Sequence, residues 1–276
     1  MNIKAIQTLR VEAGAAQEID DHLSVEEALQ ICINGEPYSI TMRTPGDDEN
    51  LVRGLLFSEG MVGDPAAEIR FDTADSSVYD CDHTINALID KKWLDISVDV
   101  SHRSLASNSS CGVCGKRDLK DIQIDADLSA LRPEKRLDPA LIANMRAAMA
   151  ARQETFRASG GSHAAAVFDI TGEMLAVHED VGRHNAVDKV IGSLLVDKTI
   201  DRGACLFVSG RVSFEIVSKA YRGGLPFIMA VSAPTSMAVE TAEKWGITLL
   251  GFCRDDRATV YSHDENLEIN QESVNV

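Results

Sequence analysis

Short apolar runs alternate with helix-length segments along the second half of the chain. The runs that have the length of a buried strand are residues 164–168, 174–178, 204–208, 227–231 and 248–252. The segments with helical character that follow most of them are residues 182–196, 212–221 and 235–245. Alternation of this kind is typical of layered proteins in which helices cover a partly parallel sheet. The pattern therefore predicts an α/β fold built on a layered mixed sheet.

The first half of the chain has the pattern of short strands with few helices. Asn34 and Gly35 separate two apolar stretches, and this dipeptide predicts a hairpin over residues 27–43. A helix is expected over residues 47–58, where acidic residues precede an apolar stripe. Further strands are expected near residues 68–71, 84–89 and 93–100. We therefore expect a β-rich N-terminal region.

A second helix is predicted before the α/β pattern begins. Asp138 and Pro139 form a strong helix start, since a capping acid precedes proline at the first helical position. One face of this helix is expected to carry Met145 and Phe156, and the helix to end at the Gly160-Gly161 pair. The chain then divides into a mobile polar arm (residues 1–24), a β-rich region ending in a cysteine loop (25–125), an α/β region (126–262) and a loose acidic tail (263–276).

Charge and cysteine usage exclude several classes of protein. The chain has 276 residues and a formal net charge of −16 at pH 7. A nucleic-acid scaffold requires a basic face, which this balance disfavours. Six scattered cysteines do not form a disulfide scaffold, residues 1–10 contain no apolar signal core, and no apolar run approaches the length of a membrane span. We therefore expect a cytoplasmic protein that binds neither nucleic acid nor membrane.

Two cysteines lie in a polar loop that is rich in Gly, Ser and Asn. Cys111 and Cys114 are separated by two residues, and Arg103, Lys116 and Arg117 lie nearby in the sequence. Neighbouring cations favour the thiolate, which is the nucleophilic form of cysteine. A structural zinc site would need two further ligands at recognisable spacing, and none is visible. The spacing alone leaves redox, sulfur-transfer and metal-binding roles open.

Polar residues also follow the predicted strands of the second half. They are Arg183 and His184, Ser209 and Arg211, Ser232 and Thr235, and residues 252–257. Polar junctions at one edge of a sheet are where α/β proteins bind ligands, and Ser, Thr and Arg side chains suit a phosphorylated ligand. The alternative is that these are capped turns, with Ser209 and Thr235 capping helices. Several such junctions in one chain favour the ligand site.

Together these residues resemble the FdhD family, the formate dehydrogenase accessory sulfurtransferases. The resemblance covers roughly residues 28–261 and depends on the following motifs: Ser110-Cys111-Gly112-Val113-Cys114-Gly115, Gly160-Gly161-Ser162-His163, His178-Glu179-Asp180-Val181-Gly182-Arg183-His184-Asn185-Ala186-Val187-Asp188-Lys189, Ser209-Gly210-Arg211, Ser232-Ala233-Pro234-Thr235 and Gly251-Phe252-Cys253-Arg254. It implies a cytidine deaminase-like fold and a homodimer, without the zinc site of the deaminases. The sequence agrees on the zinc site, because no proline precedes Cys111 and the only His-Glu pair follows the cysteines.

The resemblance also implies a task. The family takes sulfur from a cysteine desulfurase as a persulfide and passes it to the molybdenum cofactor, Mo-bis(molybdopterin guanine dinucleotide), which then enters formate dehydrogenase. By this resemblance Cys111 is the persulfide carrier, and Cys114 helps to accept or release sulfur or forms a disulfide with it. The cofactor is a bound substrate, with no permanently bound group expected. The segment that lines its site is Phe252, Cys253, Arg254, Asp255, Asp256 and Arg257.

Two other functions remain open from the sequence. The first is a chaperone that holds the molybdenum cofactor and docks on formate dehydrogenase, in which the cysteines are secondary. The polar strand ends motivate it. The second is a zinc or redox protein, which only the spacing of Cys111 and Cys114 supports.

Overall fold

The computed structural model describes residues 2–72, 83–95, 130–255 and 257–269. Its α-helices are α1 (Asp48–Ser58), α2 (Leu141–Ala151), α3 (Glu154–Ser159), α4 (Arg183–Val196), α5 (Phe214–Arg222) and α6 (Ser236–Trp245). Its strands are β1 (Ile3–Glu12), β2 (Ala15–Ser24), β3 (Glu27–Ile33), β4 (Glu36–Arg43), β5 (Ile69–Asp72), β6 (Thr84–Ile89), β7 (His163–Phe168), β8 (Met174–Asp180), β9 (Cys205–Val208), β10 (Phe227–Ala230), β11 (Thr248–Gly251) and β12 (Thr259–Ser262). None of the helices in these ranges has both the length and the apolar character needed to cross a bilayer.

The strands form three sheets. β1 and β2 pair only with each other, and β4-β3-β6-β5 form a four-stranded sheet. A six-stranded sheet has the order β12-β11-β10-β9-β7-β8. Strands β9, β10 and β11 are parallel, whereas β7 is antiparallel to both of its neighbours, β8 and β9. The predicted mixed α/β sheet and the β-rich N-terminal region are therefore confirmed.

The four central strands of the six-stranded sheet, β7, β9, β10 and β11, are buried on both faces, which explains why they are largely apolar. Leu206, Val208 and Ile228 face the core beneath α4, α5 and α6. The alternate residues, such as Phe207 and Met229, face the core on which α2 packs. Strands with two apolar faces, separated by helices, produce the alternation of apolar runs and helical segments in the sequence.

The four-stranded sheet begins with the predicted hairpin. Asn34 and Gly35 have φ values of 50° and 88°, as the two central residues of a type I′ turn require. The sheet packs its apolar face, which includes Ile31 and Ile85, against Leu51 and Leu56 of α1. The predicted helix over residues 47–58 is confirmed, and it joins this sheet to the rest of the molecule.

Two glycines allow α1 to cross α4 at backbone distance. A Cβ atom built on Gly54 would lie 1.9 Å from the carbonyl oxygen of Asp188, and one built on Gly192 would lie 1.9 Å from that of Asn50. Any larger side chain at either position would therefore collide with the opposite backbone. Beside this crossing, the Lys219 ammonium donates to both carboxylate oxygens of Asp188 at 2.7 and 2.9 Å.

The predicted N-terminal arm is a β-hairpin, with pairing from Ile3 and Ser24 to Glu12 and Ala15. Most of its side chains are exposed on both faces, including the apolar Leu9, Val11 and Leu23. Its base contacts α3, where the hydroxyls of Ser24 and Ser159 are 2.6 Å apart. The hairpin is therefore attached to the α/β region through its base.

The prediction of one long helix from Asp138 to Gly160 is wrong, because this segment forms two helices, α2 and α3. The break arises from a tertiary contact: the carboxylate of Glu179 on β8 accepts hydrogen bonds from the backbone N–H groups of Thr155 and Phe156, both at 2.8 Å. Phe156 is consequently 47% exposed and does not lie on the buried face.

Two predictions at segment ends also need correction. Residues Lys91–Trp93 form a 3-10 turn at the place where a strand was expected to begin. The predicted tail is packed over residues 263–269, because Leu267 is 3% exposed and bridges to the fully buried Leu137. An isolated apolar residue in a polar segment gives too weak a pattern to predict this docking.

Candidate functional site

One edge of the six-stranded sheet collects the predicted polar junctions. Strands β8, β9, β10 and β11 run in the same direction, so their carboxyl ends meet at this edge. The residues that follow these four ends are Arg183 and His184, Ser209 and Arg211, Ser232 and Thr235, and the segment 252–257. Their placement at one edge is as the sequence predicts. Their roles as ligand contacts stay predictions.

The first junction is held by a buried carboxylate. Asp180 at the end of β8 is fully buried, and its Oδ2 atom lies 2.9 Å from Nζ of Lys189. The backbone N–H of Gly182 donates to its Oδ1 atom at 2.8 Å, and that of Thr44 donates to Oδ2 at 3.1 Å. Lys189 also donates to the carbonyl of Thr44 at 2.8 Å. This network fixes the turn that leads into α4.

Hydrogen bonds connect the second junction to β7 and the third junction to the fourth. The hydroxyl of Ser209 accepts from the backbone N–H of Ala164 at 2.9 Å, which joins β9 to the start of β7. The backbone N–H of Phe252 donates to the carbonyl of Ser232 at 3.1 Å. These bonds give the edge a fixed shape, and they show that Ser209 has a structural contact.

Thr235 caps α6, because its hydroxyl accepts from the backbone N–H of Ala238 at 3.3 Å. We expect Thr235→Ala to lower the free energy of unfolding by about 1 kcal/mol, as is typical of a lost cap, and Thr235→Ser to retain most of it. Urea unfolding of the two variants provides the measurement. Equal stability of the alanine and serine variants would show that the cap contributes nothing.

His184 is held by a carboxylate on the next helix. Its Nε2 atom lies 2.8 Å from Oε2 of Glu215 and 3.2 Å from the hydroxyl of Ser213. Arg183, which begins α4, and Arg211, which is exposed after β9, place two guanidinium groups at the same edge. The arrangement combines positive charge with the start of α4, which suits an anionic group.

His163 also lies at this edge, although it does not follow a predicted strand as the other site residues do. His163 begins β7, and the antiparallel direction of β7 brings it beside the end of β8, where it pairs with Asp180. A Cβ built on Gly210 would lie 3.2 Å from Nδ1 of His163 and 3.5 Å from Cδ of Arg183. Burial and the positive charges of Arg183, His184 and Arg211 lower the pKa of His163, although Asp180 opposes them. Its place in the Gly-Gly-Ser-His motif is the sequence signal that could have found it.

The segment after β11 combines exposed and buried residues. Phe252 has a φ of 51° and is 41% exposed, whereas Cys253 is fully buried in the sheet core. Arg146 of α2 hydrogen-bonds with Asp255, and the backbone N–H of Arg254 donates to the carbonyl of Arg257 at 2.7 Å. Exposed side chains are therefore available from the segment on either side of Cys253. Asp256 lies outside the described residues.

Cys111 and Cys114 lie outside the described residues, as does Cys81. The three cysteines within them are buried and free. Burial raises the pKa of Cys253 to about 11, and burial also raises the pKa values of Cys205 and Cys32. Each of these thiols is thus shielded from partners and held in its unreactive protonated form.

Comparison with known proteins gives one consistent result. The profile of the FdhD/NarQ family matches residues 24–268. The sulfur carrier protein FdhD of Saccharolobus solfataricus is 38% identical over 271 residues, which covers 97% of this chain and 99% of that protein. The protein of the same name from Streptomyces coelicolor is 40% identical, covering 93% and 92%.

A solved structure supports the fold. The formate dehydrogenase accessory protein from Desulfotalea psychrophila superposes with a TM-score of 0.76 at 24% sequence identity, over 97% of this chain and 100% of that one. The family profile covers most of the chain, and the relatives align along nearly their full lengths. The chain therefore belongs to the FdhD/NarQ family.

Proposed function

We propose that this chain is a sulfur carrier that serves formate dehydrogenase. The observation that carries the proposal is the near full-length match, at 38% and 40% identity, to two proteins named sulfur carrier protein FdhD. A protein of similar fold is described as a formate dehydrogenase accessory protein. The three described cysteines are buried, which supports the proposal that a different cysteine carries the sulfur.

The sulfur is accepted at Cys111 from the persulfide of a cysteine desulfurase. The Cys111 thiolate attacks the terminal sulfur of the donor persulfide, the donor's sulfur–sulfur bond breaks, and a new one forms at Cys111. The donor cysteine leaves as a thiolate, so the exchange has no net redox change. Arg103, Lys116 and Arg117, which are close in sequence, favour the attacking thiolate.

Cys114 completes the release of sulfur. Its thiolate attacks Sγ of Cys111, forms a disulfide with it and expels the terminal sulfur as sulfide, with both electrons supplied by the two cysteines. A dithiol reductant then restores the pair. The two-residue spacing of Cys111 and Cys114 fits this step, because it allows a small disulfide ring.

The molybdenum cofactor is the acceptor in this proposal, and its guanine dinucleotide ends bind at the edge where β8, β9, β10 and β11 end. Arg183, Arg211 and the segment 252–257 supply cations and polar groups there. Phosphates bind well where guanidinium groups and the start of a helix meet. The homodimer and the cytidine deaminase-like relationship that the family resemblance implies are part of the same proposal.

Mass spectrometry of the intact chain tests the persulfide step. After incubation with a cysteine desulfurase and cysteine, the wild-type chain is expected to gain the mass of one sulfur atom, which a thiol reductant removes. Cys111→Ala is expected to abolish this adduct, whereas Cys81→Ala, a cysteine outside the pair, is expected to retain it. Absence of the adduct from the wild-type chain, or its persistence in Cys111→Ala, contradicts the proposal.

A cofactor-binding chaperone is the second candidate, and one observation favours it. The polar sheet edge is held by Asp180, Ser209 and Ser232, and in the part of the chain that the structure describes these hydrogen bonds involve no cysteine thiol. If Cys111→Ala and Cys114→Ala variants fully activated formate dehydrogenase, the chaperone function would replace the sulfur carrier.

A further inference from the structure

We propose that His163 is a further ligand-contacting residue of the sheet edge and takes up a proton when a diphosphate diester binds there. The inference rests on the proposed function, which supplies a ligand of this class through the pyrophosphate link of a guanine dinucleotide. It adds to that function a residue and a pH dependence of binding.

The position of His163 places it among the junction residues. It opens β7 at the edge where the other strands end, and its ring packs on Gly210 beside the side chain of Arg183. The absence of a side chain at Gly210 provides the space for both groups, since a Cβ there would lie only 3.2 Å from Nδ1 of His163. Within the ranges that the structure describes, the ring has no hydrogen-bond partner, and it is only partly exposed.

The charged groups that face His163 come from three elements. Arg183 and His184 begin α4, Arg211 follows β9, and Asp180 ends β8. Lys189 at 2.9 Å already offsets the charge of Asp180. Among these charges Arg183 has the largest effect on the ring, followed by His184, by the opposing Asp180 and then by Arg211.

This environment determines whether ligand binding takes up or releases a proton. Burial and the neighbouring positive charges lower the pKa of His163, so the free protein holds the ring neutral near pH 7. A diphosphate diester on Arg183 and Arg211 offsets those charges and accepts a hydrogen bond from a protonated ring. Both effects raise the pKa of His163 in the complex. Binding therefore takes up a proton, and affinity rises as pH falls between the bound and the free pKa.

The test uses diguanosine diphosphate as the probe. Each of its phosphates carries one ester bond and one anhydride bond and therefore a constant single negative charge, whereas a terminal phosphate would itself titrate at about pH 6. Isothermal titration calorimetry of the full chain, in two buffers that differ in ionisation enthalpy, gives the number of protons taken up. We expect uptake of up to one proton, and an increase in affinity of up to about tenfold for each unit of pH decrease within the window.

His163→Gln retains a polar side chain and is expected to bind more weakly at low pH, with the proton uptake and the pH dependence lost. His263→Gln is the matched control, since His263 follows β12 at the opposite edge and contacts Glu265 and Glu243. The wild-type proton count needs no variant and remains informative if His163→Gln does not fold. No probe binding, binding without proton uptake, or an unchanged pH profile in a folded His163→Gln each overturns the proposal.

Failure of the His163 proposal can be distinguished from failure of the proposed sulfur-carrier function. A chain that gains the sulfur adduct but binds the probe without a proton rejects the role of His163 alone. A chain that binds the probe with proton uptake but gains no adduct rejects the sulfur chemistry and retains His163 in a nucleotide site.

Discussion

Gly192→Ala is expected to lower the free energy of unfolding by roughly 3 kcal/mol, because the new Cβ would lie 1.9 Å from the carbonyl oxygen of Asn50. Alanine is favoured over glycine inside a helix by about 1 kcal/mol, which only partly offsets the collision. The atom that it meets belongs to the backbone of α1, so no rotamer change can relieve the contact. The two helices must separate, and the packing between them is lost.

Urea unfolding monitored by circular dichroism measures this effect, and Gly63→Ala is the matched control. A Cβ on Gly63 would meet nothing within 4 Å, so its stability is expected to change by less than about 0.5 kcal/mol. Gly54→Ala makes the reciprocal collision with the carbonyl of Asp188 and is expected to behave like Gly192→Ala. If Gly192→Ala were as stable as the Gly63 control, the close crossing of α1 and α4 would be wrong.

The sequence predicts well those parts of the fold in which buried and exposed positions produce a recognisable local pattern of apolar and polar residues. Strands β9 and β10 read as apolar runs because both of their faces are covered. The turn at Asn34 and Gly35 was predictable because two consecutive positive φ values favour this dipeptide. The N-terminal hairpin was missed for the converse reason, since its side chains are mostly exposed on both faces.

The residues of the candidate site also differ in whether a local sequence pattern predicts their position. Arg183 and Arg211 were found because they follow apolar strands, a position that sequence order reveals. His163 precedes its strand, and it reaches the same edge only because β7 runs antiparallel to β9. Strand direction is a property of the assembled sheet, and no local pattern around His163 encodes it. The spacing of Cys111 and Cys114 marks them as candidates for redox, sulfur-transfer or metal-binding roles, and only the family resemblance selects sulfur transfer as the prediction.

Asp180→Asn is expected to lower the free energy of unfolding by about 3 to 5 kcal/mol, as is typical when one partner of a buried ion pair is removed. The Lys189 ammonium, which is 1% exposed, would lose the carboxylate 2.9 Å from its Nζ atom. The new amide nitrogen would also face groups that are themselves donors, such as the N–H of Gly182 or of Thr44. Urea unfolding measures the loss, with the exposed Asp197→Asn as control.

A double variant separates the lost ion pair from general damage to the fold. Lys189→Met in the Asp180→Asn background removes the uncompensated ammonium, so the double variant is expected to be more stable than Asp180→Asn alone. If Asp180→Asn were no less stable than Asp197→Asn, the buried network would not hold the first junction. Because the carboxylate fixes the turn into α4, the same loss is expected to displace Arg183 and His184. Stability and ligand binding at the sheet edge thus depend on one buried carboxylate, which sequence spacing alone identifies only as part of a polar turn.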